Sequence, residues 1–409
     1  MVGEYQTIRK ELKDRIMEEI SMSRELSDDE VKELIDREVM GCARKSGLNY
    51  KEKYNLSKEL FHAIRRLDIL QELTDDPKVT EIMINGMDHI FIERAGHLYE
   101  WDKHFESKEK LEDVIQQIVA KCNRTVNEAS PIVDARLENG SRVCIVLAPT
   151  CLNGPSITIR RFPDKPIGME DLIRFGAIHE EAVEFLKKLV IAGYNIFISG
   201  GTGSGKTTFL NALSNYIPKD ERVITVEDSA ELQILGIPNL VRLETRNANV
   251  EGCKEITIRD LIKACLRMRP DRVVVGEVRG GEAVDMIQAM NTGHDGSLST
   301  GHANSAADML ARLEVMILMS GVELPLPAIR SQIAGGVDII VHLGRLRDKS
   351  RKVLQIVEIL SYTDGEIKTS VLYEFEESKT DDKGKIIGTL KKKNDLIHTE
   401  KLEAAGIRI

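Results

Sequence analysis

Eight consecutive residues, Gly200-Gly201-Thr202-Gly203-Ser204-Gly205-Lys206-Thr207, spell a complete G-x-x-x-x-G-K-T loop. Glycines at that spacing let successive backbone N–H groups wrap an anion at a helix N-terminus, where the helix dipole adds to the attraction. The flanks agree with this reading. The apolar run 195–199 reads as a buried strand, and 208–213 is compatible with a helix. In such a loop Lys206 reaches the β- and γ-phosphates of a nucleotide. The Thr207 hydroxyl coordinates Mg²⁺, and Thr208 joins the loop residues as a further nucleotide contact. A glycine turn that only imitates the pattern would lack the strand and the helix.

Carboxylates come next. Arg272-Val273-Val274-Val275-Gly276-Glu277 is a β-branched run ending in an acid, with Gly276 where a strand-end Asp is usual. Glu277 is therefore the candidate to polarise a water and to help hold Mg²⁺, in part through water; a buried strand that happens to end in Glu reads the same way. Thr225-Val226-Glu227-Asp228-Ser229-Ala230-Glu231 places three carboxylates just past another buried strand. They either orient a metal-bound or nucleophilic water, or mark an acidic helix N-terminus favoured by its dipole. His294 and His302 stand among glycines in 292–304, as phosphate sensors or as satisfied structural histidines.

Taken in this order, these four segments resemble the Walker A, Asp-box, atypical Walker B and His-box motifs of the type II and type IV secretion superfamily ATPases. Upstream, Asp134-Ala135-Arg136-Leu137-Glu138-Asn139-Gly140-Ser141-Arg142-Val143, Ile157-Thr158-Ile159-Arg160-Arg161-Phe162 and Val79-Thr80-Glu81-Ile82-Met83-Ile84-Asn85-Gly86 look like the branch serving tight-adherence pili. The resemblance spans residues 67–360. It implies ATP and Mg²⁺ as cofactors and a homo-hexameric ring working on an inner-membrane platform protein of a pilus or secretion machine. Arg142 and Arg160, with Arg161 on the nucleotide, would sense the γ-phosphate, a task that suits a permanently charged planar guanidinium. Glu227, Glu231, Glu277 and His302 would inherit active-site roles. Arg279, Arg242 and Arg246 fit either a ring interface or surface salt bridges. A conjugation or effector-export ATPase of a type IV system is the alternative that shares every one of these residues.

These side chains need a scaffold. From 168 to 343, helical patterns alternate with the buried runs 196–199, 223–226, 272–275 and 339–342, which predicts a largely parallel sheet covered by helices. Between 70 and 163 the period shortens, predicting strands at 80–84, 90–93, 142–147 and 157–161 and a helix at 111–120. Ile8, Leu12, Ile16 and Ile20, then a Ser27/Glu30 capping box ahead of Val31, Leu34, Ile35 and Val39, predict a helical bundle at the start. The expected fold class is α/β: a helical N-terminal segment (1–66), a mixed α/β domain (67–163), a RecA-like P-loop domain (164–345) and a C-terminal extension (346–409). Residues 162–166, with two prolines, read as a linker, the stretch after Glu377 as exposed, and Lys391-Lys392-Lys393 as a solvated face.

Bulk properties narrow the partners. A net charge of -9 opposes a phosphate backbone, and no basic run interleaved with aromatics offers a track, so no nucleic acid is expected. That weighs against a RecA-like DNA translocase. The six cysteines are scattered without a C-x-x-C pair, which predicts neither zinc nor a disulfide framework. The first residues lack the apolar core of a signal peptide and the apolar run 189–199 is too short to span a bilayer. The expected location is the cytoplasm, peripheral at the inner face of the cell membrane, with membrane contact only through partners.

Overall fold

The computed structural model describes residues 2–22, 26–46, 48–94, 96–122, 124–137, 139–161, 166–246, 254–382 and 384–408. Most of the predicted linker, 162–165, lies outside them. The chain divides into two compact units, Met1–Asp164 and Lys165–Ile409.

The first unit opens with three helices, α1 (Val2–Met22), α2 (Asp28–Ser46) and α3 (Tyr50–Arg65). Leu12 and Ile16 of α1, the stripe Val31, Leu34, Ile35 and Val39 of α2, and Leu56 and Leu60 of α3 close a small core of their own. Capping fixes where α2 and α3 begin. Glu30 carboxylate accepts from the Ser27 N–H at 2.8 Å, and Asn49 and Glu52 form the reciprocal pair at α3.

The short helix α4 (Leu70–Asp75) leads into β1 (Val79–Asn85), β2 (His89–Arg94), β3 (His97–Glu100), α5 (Lys108–Lys121), β4 (Ile132–Arg136), β5 (Arg142–Val146) and β6 (Ser156–Arg160). The strands form one antiparallel sheet in the order β3-β2-β1-β6-β5-β4. Alternation sends Ile82, Ile84, Val143, Ile145, Ile157 and Ile159 to one face, where Leu111, Val114, Ile115 and Ile118 of α5 cover them. The other face is polar. Across it Glu81, Arg160, Arg142 and Arg136 stand directly opposite one another on β1, β6, β5 and β4.

The second unit contains α6 (Met169–Arg174), α7 (Glu180–Ile191), β7 (Ile196–Gly200), α8 (Lys206–Ser214), β8 (Val223–Glu227), β9 (Leu240–Glu244), α9 (Ile258–Cys265) and β10 (Arg272–Val275). It continues with α10 (Ala283–Asn291), β11 (Leu298–His302), α11 (Ala306–Met319), α12 (Leu326–Gly336), β12 (Ile339–Arg345), β13 (Arg351–Thr363), β14 (Glu366–Thr380), β15 (Ile386–Lys392) and α13 (Glu400–Ala404). The sheet runs β15-β14-β13-β12-β7-β11-β10-β8-β9, parallel from β12 to β9 and antiparallel from β12 to β15. Every residue of β7, β8 and β10 is buried, as expected of parallel strands covered on both faces. Apolar residues of α7 and α8 fill one side, and those of α9 to α12 fill the other.

Residues 298–302 form a strand whose first four residues are buried: Gly301 is accommodated because Met309 and Phe197 fill the space a Cβ would occupy, with Met309 Cε 2.7 Å from that position. One expectation fails. The stretch after Glu377 is not simply exposed. Ile386 is buried on β15, and Leu390, Leu396 and Leu402 enter the same core as α7 and α8. Tyr194 hydroxyl donates to the His398 carbonyl at 2.6 Å, and Lys401 ammonium pairs with Asp295 and Asp338, each at 2.8 Å. The lysine run is a surface feature, paired through Lys391 and Lys393 to Glu376 and through Lys392 to Asp395.

Candidate active site

The glycine-rich loop leaves the C-terminal end of β7 and delivers Lys206 and Thr207 into the first turn of α8. Two glycines are sterically required. A Cβ on Gly200 would lie 2.5 Å from the Leu343 carbonyl oxygen and 2.6 Å from Ser204 Oγ. Gly205 caps α8 with φ of 95°, a left-handed conformation costly for other residues. Gly201, Thr202 and Gly203 are exposed at the tip, while Thr207 and Thr208 open α8 half-buried.

Lys206 is buried, and its Nζ donates to the Gly201 carbonyl at 3.1 Å, as does Ser204 Oγ at 2.9 Å. Its second partner is His302 Nδ1 at 3.2 Å, at the end of β11. An ammonium can only donate, so Nδ1 accepts and the ring is neutral with its proton on Nε2. Burial pushes the His302 pKa below its ordinary value; the opposing pull of Glu277 is outweighed together with the charges of Lys206 and Arg279. Burial likewise lowers the Lys206 pKa, against the attraction of Glu277.

His302 Nε2 faces Glu277 Oε1 at 2.8 Å, without hydrogen-bond alignment, so that buried oxygen keeps its acceptor capacity unused. The other carboxylate oxygen takes Arg279 Nη2 at 2.8 Å and Nε at 3.0 Å, and Arg279 Nη1 reaches Asp228 at 3.1 Å. Lys206, His302, Glu277, Arg279 and Asp228 thus form one connected polar chain at the phosphate loop, joining β7, β11, β10 and β8.

Glu227 ends β8 and is buried. Its Oε2 accepts the N–H groups of Glu231 at 2.7 Å and Leu232 at 2.8 Å, while Oε1 has no partner. Burial pushes this carboxyl up to about 7 despite those two N–H donors and Arg242. The carboxylate explains Gly276: a Cβ there would meet Glu227 Cγ at 3.1 Å, leaving no room for the usual strand-end Asp. Glu231 is half-buried beside it, its charge felt at both Glu227 and Arg279.

The remaining sequence candidates separate. His294 Nδ1 lies 3.3 Å from the Ala289 carbonyl before β11 begins, at the opposite end of the parallel strands from the phosphate loop. Arg242 contacts the Ala230 carbonyl at 3.4 Å, and Arg246 the Lys254 carbonyl at 3.2 Å. In the first unit, Arg142 lies 3.5 Å from Asp134 and Arg160 3.5 Å from Glu81. Arg161 turns its guanidinium to the carbonyls of Asp76 and Val79, tying β6 to the start of β1. One contact at the loop had no sequence signal: Arg351 Nε of β13 donates to the Gly203 carbonyl at 2.9 Å, 148 residues away.

Residues 65–394 match the family described as "Type II/IV secretion system protein". The chain belongs to that family. Its relatives include a putative conjugal transfer protein of Mycobacterium tuberculosis (strain H37Rv), 33% identical over 77% of this chain and 90% of the relative. The type IV secretion system protein VirB11 of Brucella suis is 33% identical over 68% of this chain and 84% of its own length. The fold is shared with the ATPase DotB of Legionella pneumophila, with a TM-score of 0.51, 20% identity and 72% and 80% coverage of this and that chain. The pilus retraction motor PilT gives 0.51, 16%, 83% and 86%. The fold is α/β, with an N-terminal domain ahead of a RecA-like motor domain. Among the described residues of this secretion-family chain, no helix is long and apolar enough to cross a membrane.

Proposed function

We propose that this secretion-family chain is an ATP hydrolase that drives a type IV secretion machine of the conjugal-transfer kind, working as a six-membered ring against an inner-membrane platform protein. The observation that carries hydrolysis is the connected polar chain Lys206–His302–Glu277–Arg279–Asp228 beside the phosphate loop. Sequence-level likeness to tight-adherence pilus ATPases pointed first to a pilus. Relatives described as conjugal transfer and VirB11 proteins, matched over most of their length, favour the type IV secretion reading instead.

The donor set suits Mg²⁺: the Thr207 hydroxyl would hold it directly, and the buried, unpartnered oxygens of Glu277 and Glu227 would hold it through water. When bound, Mg²⁺ would neutralise charge on the β- and γ-phosphates. The chain's own residues do the rest. Lys206 exchanges its Gly201 carbonyl for phosphate oxygens. Glu277 Oε1, held in place by Arg279 on the other oxygen, accepts a proton from the attacking water. Neutral His302, with its proton on Nε2, bridges Lys206 and Glu277 and reports whether the phosphate end is filled. Arg142 and Arg160 are directly opposed on the polar face of the sheet, each 3.5 Å from one carboxylate, Asp134 and Glu81 respectively. They are the γ-phosphate sensors of this proposal.

The test is steady-state Mg²⁺-ATP hydrolysis per subunit against protein concentration, with Glu277→Gln and Arg160→Ala alongside. Activity that rises with concentration, and a loss of about 10²-fold or more in both variants, is expected. Normal hydrolysis by Arg160→Ala sinks the arginine role, and normal hydrolysis by Glu277→Gln sinks the mechanism.

A further inference from the structure

The turn between β12 and β13 brings two arginines to the phosphate loop that no motif of the family reading assigns. Arg345 and Arg351 are directly opposite each other across the two strands, so their side chains share one face. Arg351 donates from Nε to the Gly203 carbonyl at 2.9 Å, and its Cδ lies 3.6 Å from where a Cβ of Gly205 would stand. Arg345 Nη1 lies 3.9 Å from the corresponding point on Gly203. Both are exposed. Among the described residues Arg345 has no carboxylate or hydrogen-bond partner, and Arg351 has only the Gly203 carbonyl. Their neighbours differ: Arg347 is paired with Glu377, and Lys352 donates to the Gly176 carbonyl at 2.6 Å.

Two facing guanidiniums without a carboxylate repel each other, and holding them together costs free energy that a nearby anion would recover. The anion site is adjacent. The loop they touch is the one whose N–H groups and helix N-terminus gather phosphate. Arg351 is anchored through Nε alone, which leaves both its amino groups free to donate, and Arg345 keeps all of its donors.

We infer that Arg345 and Arg351 are nucleotide-binding residues that hold the phosphate chain from the tip of the loop. This rests on the nucleotide reading of the loop and deepens it. Contacts at the tip engage the phosphates that ATP and ADP share. They should therefore set affinity for both nucleotides, whereas the arginines of the first unit should distinguish ATP from ADP. The pair would keep ADP seated after hydrolysis.

The experiment is titration calorimetry of the full chain with Mg²⁺-ADP and, separately, Mg²⁺-ATPγS. It compares wild type with Arg345→Gln, Arg345→Lys, Arg351→Gln and Arg351→Lys, with the nucleotide-free melting temperature of each recorded. The Gln variants should bind both nucleotides about ten- to a hundredfold more weakly and by the same factor, as expected for a lost charge-assisted hydrogen bond. The Lys variants should recover most of the loss, and the nucleotide-free melting temperatures should stay together. Unchanged affinity in both Gln variants overturns the inference while leaving the nucleotide site standing. So does a loss matched by a lowered melting temperature and not rescued by Lys, which would mark a structural role. A wild type that binds neither nucleotide overturns the functional reading as well.

Discussion

Glu227→Gln separates the electrostatics of the site from its shape. Burial lifts the Glu227 carboxyl from 4.5 to about 7, so between those pH values the folded chain holds a proton that the unfolded chain has released. The stabilising contribution is therefore complete below about pH 4.5 and is lost as the pH rises through 7. At 1.36 kcal/mol per pKa unit, the loss is on the order of 3 kcal/mol by pH 8. Glutamine keeps an oxygen for the N–H groups of Glu231 and Leu232 but cannot ionise, so it removes the pH-dependent part alone. The assay is thermal or urea unfolding of the nucleotide-free chain at pH 5 and pH 8. The variant should gain on the wild type by about 2.5 kcal/mol between the two, or roughly 5 to 10 °C in the motor-domain transition. Under the proposed function, hydrolysis should fall in the same variant. A difference between variant and wild type that does not change with pH would refute the argument that burial dominates this carboxyl.

Two further outcomes follow from packing. Gly276→Ala places a methyl 3.1 Å from Glu227 Cγ and should cost about 1–3 kcal/mol. Much of that cost should disappear in Gly276→Ala combined with Glu227→Ala; melting temperatures of the single and double variants decide it, and simple additivity would rule out the contact as the cause. Leu402→Ala, at a buried position six residues before the last described residue, should destabilise the motor domain by about 2–5 kcal/mol, read by urea titration, whereas an exposed, dispensable tail would lose nothing.

The chemistry was more legible in the sequence than the walls around it. The placement of the glycine-rich loop and of Glu277 at strand ends could be read because local spacing, a strand before and a helix after, carries it. Residues 196–199, 223–226, 272–275 and 339–342 were readable as strands for a related reason: they are buried on both faces and therefore mostly apolar, with one polar residue in each, Ser199, Thr225, Arg272 and His342. Strand β11 was not, because its Ser299, Thr300 and Gly301 are buried by neighbours distant in sequence, and Thr300 Oγ1 satisfies itself on the Gly276 carbonyl at 2.8 Å. Gly276 stands where an acid is usual because Glu227, distant in sequence, packs against the space its side chain would need. Arg345 and Arg351 gave no signal at all, since exposed arginines in a charged turn are ordinary and only the pairing of β12 with β7 carries them to the loop. The same is true of α13, whose five residues have too little periodicity to reveal a buried face.

The position of β7 has a consequence for how the protein is made. Its partners on either side are β11 and β12, so the strand that carries the phosphate loop lies between segments beginning at Leu298 and Ile339. Chains are synthesised from the N-terminus at roughly 5–20 residues per second, so the first unit can close on the ribosome while the loop strand waits many seconds for both neighbours. Until then it is an unpaired, largely apolar strand, the kind of segment that chaperones retain. A nascent or prematurely terminated chain that stops short of β12 has every residue of the phosphate-loop motif and no finished site to bind with.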